Sequence, residues 1–261
     1  MRRKGMTAVA EEKKQKSLFW RILLGVFAAV FLVAVVMLVL HLWPSDDVVV
    51  PPSSVSSAPE VILVDNPIDF AALHEKNSDI KAWIRVPGTV IDYPVMQADE
   101  NTDDVFYLKH DENKQPRRSG SIYIEKVNSG AFTDPHTVLY GHNMANGSMF
   151  SAVHKFKKKD FFQEHEYLYV YTPGHILTYR IFSCFMYDDR HLMYAFDYDD
   201  KAQYADFLEQ ALHPVSMTRQ VREGVSVTPD DRIITLSTCT NFNADKRLLL
   251  EGVLIDDQLT K

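Results

Sequence analysis

The sequence predicts a mainly β domain, built as a closed or nearly closed barrel, tethered outside a membrane by one N-terminal helix. Three observations carry this. Short runs rich in β-branched and aromatic residues recur along the chain, separated by Pro-Gly and Asn/Asp-rich turn chemistry. Few segments repeat apolar residues at helical spacing, so helices decorate the domain and do not build it. Ile22 to Leu40 are 19 consecutive residues without a charge.

That apolar run comes first in the chain. At about 1.5 Å per residue a helix of this length spans the roughly 30 Å hydrocarbon core of a bilayer. Trp20 and Trp43 stand at its two ends as interfacial anchors. Seven basic residues precede it, Arg2, Arg3, Lys4, Lys13, Lys14, Lys16 and Arg21, whereas Asp46 and Asp47 follow. The positive flank stays in the cytoplasm, which puts the rest of the chain outside. A cleaved signal peptide has a shorter apolar core of about 7–15 residues and a small-residue cleavage site, and 37–43 offers none. The expected division is therefore a cytoplasmic basic segment (1–21), a signal anchor (22–43), a Pro/Ser-rich extracellular linker (44–65) and a folded domain (66–261).

Of 28 Lys+Arg and 35 Asp+Glu, residues 1–43 hold seven and two, leaving 21 against 33, a net charge of −12. So acidic an outer part excludes a nucleic-acid binder. Two cysteines in an exported chain allow one disulfide, Cys184–Cys239, or one reactive thiol beside one packed thiol.

In the folded domain Asn66-Pro67 opens a short helix, proline costing nothing at a first helical position. Residues 81–86 and 90–95 read as strands around Pro87-Gly88, and 121–124 and 137–140 as two more. Ser148 to Phe156 forms a short helix that Phe161-Phe162 continues, past a Lys157-Lys158-Lys159 run that is a solvated face. Residues 166–172 and 175–187 are a hairpin about Pro173-Gly174. Asp199 to Leu212 is the clearest amphipathic helix, with Tyr204, Phe207, Leu208 and Leu212 on one side. Strands at 225–227, 232–237 and 247–255 close the chain.

Three residues carry chemistry. Cys239 ends an apolar β-branched strand, Arg247 opens the next strand eight residues later, and His142 stands at another strand exit. A thiol attacks as thiolate, favoured by a nearby cation, and an imidazole moves protons. A forked guanidinium stabilises the oxyanion formed when a carbonyl is attacked. Each residue alone has an ordinary use, a packed thiol or a surface ion pair among them. Together they describe acyl transfer through a thioester.

Thr235-Leu236-Ser237-Thr238-Cys239, with a histidine upstream and an arginine on the following strand, resembles the TLxTC signature of sortases, over roughly residues 66–258. Tyr140-Gly141-His142-Asn143-Met144 followed by Asn146-Gly147-Ser148-Met149-Phe150 is similar to the class B segment around the histidine. The Ala82 to Gln97 run, Phe106-Tyr107-Leu108 and the helix near 199–212 point to the same class.

The resemblance implies an eight-stranded sortase barrel with N-terminal helices and a helix between the sixth and seventh strands. It implies Cys239 as nucleophile, His142 as general acid and then base, and Arg247 as oxyanion donor. Tyr140, Leu108 and Ser237 match substrate-groove positions, and Tyr194 belongs to a loop bordering the groove. Asp104 falls where the family carries a groove asparagine, with Asn101 as substitute. The implied activity is cleavage of a C-terminal NPxTN-like sorting signal of secreted proteins after Thr, then transfer to a peptidoglycan amine at a Gram-positive cell surface. No cofactor and no metal are expected. A pilin-polymerising sortase, differing in its acceptor amine, and a non-catalytic surface domain with a Cys184–Cys239 disulfide are the alternatives.

Overall fold

In the computed structural model, which describes residues 31–38, 63–240 and 245–261, the strand-forming runs pair into a ring. The strands are β1 (Ile80–Arg85), β2 (Asp92–Met96), β3 (Ile122–Tyr123), β4 (His136–Tyr140), β5 (Tyr167–Thr172), β6 (His175–Tyr187), β7 (Arg219–Val221), β8 (Ile233–Cys239) and β9 (Arg247–Leu259). The order β5-β1-β2-β3-β4-β8-β9-β6 returns to β5 through the β5–β6 hairpin, closing eight strands into a barrel. Closure removes the unpaired edges that an open sheet exposes. β7 is a ninth strand outside the ring, paired only to residues 183–185 of β6. Two pairings are parallel, β2 with β3 and β4 with β8.

The hairpin turns where Pro173-Gly174 predicts, with Gly174 at φ +90°, a conformation that favours glycine. Among the described residues from 63 on, four α-helices decorate the barrel: α1 (Phe70–Lys76), α2 (Lys159–Glu164), α3 (Leu192–Ala195) and α4 (Lys201–Leu212). Helix α1 starts later than Pro67 implies, because Asp69 caps it by accepting the Ala72 amide at 3.0 Å. Residues 150–157 are a 3-10 helix, separated from α2 by an extended Lys158. The 225–227 run is not a strand. Gly224 turns the chain at φ +74°, and Val227 satisfies its apolar side by packing under α4. The short strand falls at 219–221, just before Arg222, whose guanidinium is buried against the Ile181 carbonyl (2.8 Å) and over the Phe162 ring (4.8 Å).

Side chains alternate between two cores. Ile234, Leu236, Leu248 and Leu250 point into the barrel with Leu139 and Ile181. Ile233, Leu249, Val138 and Phe185 point outward and are covered by Tyr204, Phe207, Leu208 and Ala211 of α4. The helix covers only part of this outer face. Beyond it the ends of β4, β8 and β9 lie open, and the site forms there.

Residues 60–261 are one compact unit, so these elements belong together. Of the expected membrane helix, 22–43, only residues 31–38 are described, and these are helical; among the described residues no helix is long and apolar enough to cross a membrane.

Candidate active site

Strand register brings the thiol and the guanidinium together. Cys239 is the last residue of β8 and pairs directly with Arg247, the first of β9. Directly opposed residues of an antiparallel pair project to the same face, with Cβ atoms about 4.5–5.5 Å apart. Arg247 in turn pairs with Tyr187 of β6, giving a row Tyr187–Arg247–Cys239 across three strands. One step back along the same face is the row Tyr140–Ser237–Leu249. Cys239 is exposed and Cys184 is buried, and both are free thiols. The alternative with a structural Cys184–Cys239 bond is thereby corrected: Cys184 packs inside the barrel, whereas Cys239 stands on the outer face.

His142 reaches the same place from β4. Gly141 bonds to the Ser237 carbonyl (3.2 Å), and the Thr238 hydroxyl donates to the Gly141 carbonyl at 2.7 Å, riveting the two parallel strand ends. A Cβ on Gly141 would meet Ile122 Cδ1 at 2.5 Å and the Phe150 ring at 2.7 Å, so only glycine allows this approach. The loop folds back through an Asn143–Met149 bridge, and the Phe150 amide donates to the His142 carbonyl at 3.0 Å. His142 Nε2 lies 2.8 Å from the Leu108 carbonyl. A carbonyl only accepts, so Nε2 carries the proton and Nδ1 is left for proton exchange.

All three side chains line one cavity of about 250 Å³, with Leu108, Tyr140 and Ser237. The structure thus brings together six of the nine residues the sequence singles out. The other three do not line it. Asp104 spends its carboxylate on the Lys126 amide (2.8 Å), and Asn101 is exposed in the turn built on Asp99. Tyr194 is 70% exposed and lines a neighbouring cavity of about 460 Å³ with Val127, Asp134 and Gln203.

Residues the sequence reading passed over also take part. The Cys239 carbonyl accepts from Asn143 Nδ2 and His154 Nε2, each at 3.1 Å, fixing the backbone that carries the thiol. Burial holds the His154 imidazole below its ordinary value. Glu125 lines the cavity with its side chain only 7% exposed, and burial pushes its carboxyl up, against the lowering contact with His191. A carboxylate immediately after the 121–124 strand was the available signal. Burial also raises the Cys184 thiol, which keeps it protonated and inert. Among the described residues no group of three His, Cys, Asp or Glu side chains is arranged to hold a metal ion.

A closed barrel carrying a thiol and a guanidinium on paired strand ends, with an imidazole in the same groove, defines a cysteine transpeptidase. The sequence profile of the Sortase domain family matches residues 84–255, and the chain belongs to that family. Sortase B of Listeria monocytogenes is 32% identical over 187 residues, covering 70% of this chain and 72% of that protein. The structure of Clostridium perfringens sortase B superposes with a TM-score of 0.61 at 32% identity, covering 72% of this chain and 100% of that one. A Staphylococcus aureus sortase B–substrate complex matches with a TM-score of 0.62 at 28% identity, covering 72% and 84%. These relatives make the chain a class B sortase.

Proposed function

We propose that this sortase cleaves an NPxTN-like C-terminal sorting signal of secreted proteins after its Thr and joins the new carboxyl to a peptidoglycan amine. The direct β8–β9 pairing of Cys239 with Arg247, at the cavity that also holds His142, is the observation that carries this reading. The Cys239 thiol proton passes to His142 Nδ1 as Sγ attacks the Thr carbonyl. The carbonyl oxygen gains negative charge and is met by the Arg247 guanidinium, which the β8–β9 pairing holds beside the thiol. His142 gives a proton to the leaving amine as the tetrahedral species collapses to a thioester on Cys239. It then takes a proton from the incoming amine as the amine nitrogen displaces the sulfur, and returns that proton to Sγ, restoring the thiol.

Leu108, Tyr140 and Ser237 form the wall for the peptide. Asn101, Asp104 and Tyr194 would act only at its outer ends, where a longer peptide passes beyond the cavity. Residues 22–43 anchor the enzyme with its N-terminus in the cytoplasm and 66–261 at the outer surface of a Gram-positive cell, where exported substrates and cell-wall amines meet.

Mass spectrometry of the products formed from a sorting-peptide library and candidate amines tests this. The expected products are a peptide ending in Thr and its amide with the added amine. Absence of both, or identical products from a Cys239→Ala protein, would overturn it.

A further inference from the structure

One wall of the cavity that holds Cys239 is a segment outside the sheet. Residues 188–191 join β6 to α3, and Asp189, Arg190, His191 and Leu192 line the cavity. Arg190 pairs with Asp188, two residues away, at 2.9 Å, and its guanidinium lies 5.1 Å over Tyr187. Those contacts stiffen the segment beside β6, on its own side of the groove.

His191 reaches across to the other side. Its Nε2 is 2.8 Å from Glu125 Oε1, and since a carboxylate accepts, the imidazole donates. Glu125 is a fixed point. Its carbonyl accepts the Gln97 side chain at 3.1 Å and the Asn128 amide at 3.0 Å, just past β3. Its second oxygen accepts the Tyr140 hydroxyl at 3.5 Å, and Tyr140 is the groove residue in register with Ser237. The His191 ring lies 4.5 Å from the Tyr194 ring and 6.2 Å from that of Tyr140. One buried carboxylate therefore gathers a side chain from a barrel strand and another from the loop opposite. A carboxylate so placed is expensive to bury unless a donor holds it, and a donor on a loop without sheet pairing is held by it in return.

We propose that Glu125 and His191 form a latch that positions the 188–192 wall and Tyr140 for binding of the sorting peptide. This rests on the reading of the cavity as the acyl groove. Both are positioning residues: they shape the groove and leave the reacting carbonyl to Cys239, His142 and Arg247.

The test compares the full-length wild type with His191→Ala, His191→Gln and Glu125→Ala. It measures kcat and KM on the sorting peptide, and amide hydrogen exchange across 188–195 without peptide. His191→Ala and Glu125→Ala should raise KM by about tenfold with kcat within about twofold, the pattern of lost ground-state binding. Exchange in 188–195 should accelerate about tenfold or more while the rest of the barrel keeps its wild-type exchange. His191→Gln keeps an amide donor and should bring KM back to within about threefold of wild type. Unchanged KM and exchange in His191→Ala would overturn the latch, as would a fall in kcat alone or faster exchange throughout the barrel. If the wild type turned over no sorting peptide, the acyl-groove reading would fail, and the exchange measurement would still decide whether the latch holds the segment.

Discussion

Glu251→Gln should make the protein more stable in alkali, by an amount that grows with pH. Glu251 lies on β9 opposite Thr235, wholly buried beneath α4. The Thr235 hydroxyl donates to its Oε2 at 2.5 Å, and His136 Nε2 meets the same hydroxyl at 2.6 Å. Glu251 Oε1 has no partner among the described residues. Burial pushes this carboxyl up to about 8 from its ordinary 4.5, and pushes the neighbouring His136 imidazole down to about 3. Both groups are therefore neutral in the folded protein at pH 7.

The folded-state value of Glu251 is raised, so its contribution is fully present below about pH 4.5 and is lost as pH climbs to about 8. Each pH unit in that window costs about 1.4 kcal/mol, which sets an upper bound of roughly 5 kcal/mol over the whole of it. Glutamine has nearly the same shape and stays neutral throughout. Urea unfolding of wild type and variant from pH 5 to 9 should show a small difference at pH 5. The gap should widen in favour of the variant to about pH 8 and then level off. A difference that is flat with pH, or one that favours wild type in alkali, would refute the buried neutral carboxyl.

Four other outcomes are expected. Arg247→Lys should lower kcat by about 10²–10³-fold, since a point charge does not replace a fixed fork of donors at an oxyanion; turnover within a few-fold of wild type would remove Arg247 from the reaction. Gly141→Ala should destabilise the protein by about 1–3 kcal/mol and depress turnover together, because its Cβ would displace Ile122 or Phe150 beside His142. A wild-type thermal midpoint in that variant would contradict the close approach. Thr238→Val should cost about 1–3 kcal/mol by stranding the Gly141 carbonyl, measured by urea unfolding; an unchanged midpoint would mean the rivet is unimportant. Alkylation of the folded protein followed by peptide mapping should label Cys239 and spare Cys184 until denaturant is added, and equal labelling would contradict the burial of Cys184.

The elements around the thiol were legible because their signals are local. Apolar β-branched residues ending at Cys239, and an arginine heading the next apolar run, led directly to the β8–β9 pair. Pro173-Gly174 marked its hairpin for the same reason. Ring order was not legible, since the parallel β4–β8 and β2–β3 pairings join segments far apart in sequence and leave no turn to read. The missing 225–227 strand shows a short apolar run satisfied by packing against a helix instead of by a neighbour strand. At the site, residues defined by a motif came together, whereas Asp104 did not, because a loop carboxylate is readily taken by a nearby amide, here that of Lys126. Glu125, His154 and His191 matter through contacts 66 to 85 residues away in the chain, beyond any spacing rule.

The claim on which the rest depends is a thioester on Cys239. Wild-type protein incubated with a sorting peptide and no amine, quenched in acid and weighed intact, should carry the mass of the acyl fragment. Hydroxylamine should remove it, peptide mapping should put it on Cys239, and the Cys239→Ala protein should carry none. Peptide cleavage without that adduct in rapid-quench samples, or an adduct that survives in Cys239→Ala, would contradict the account.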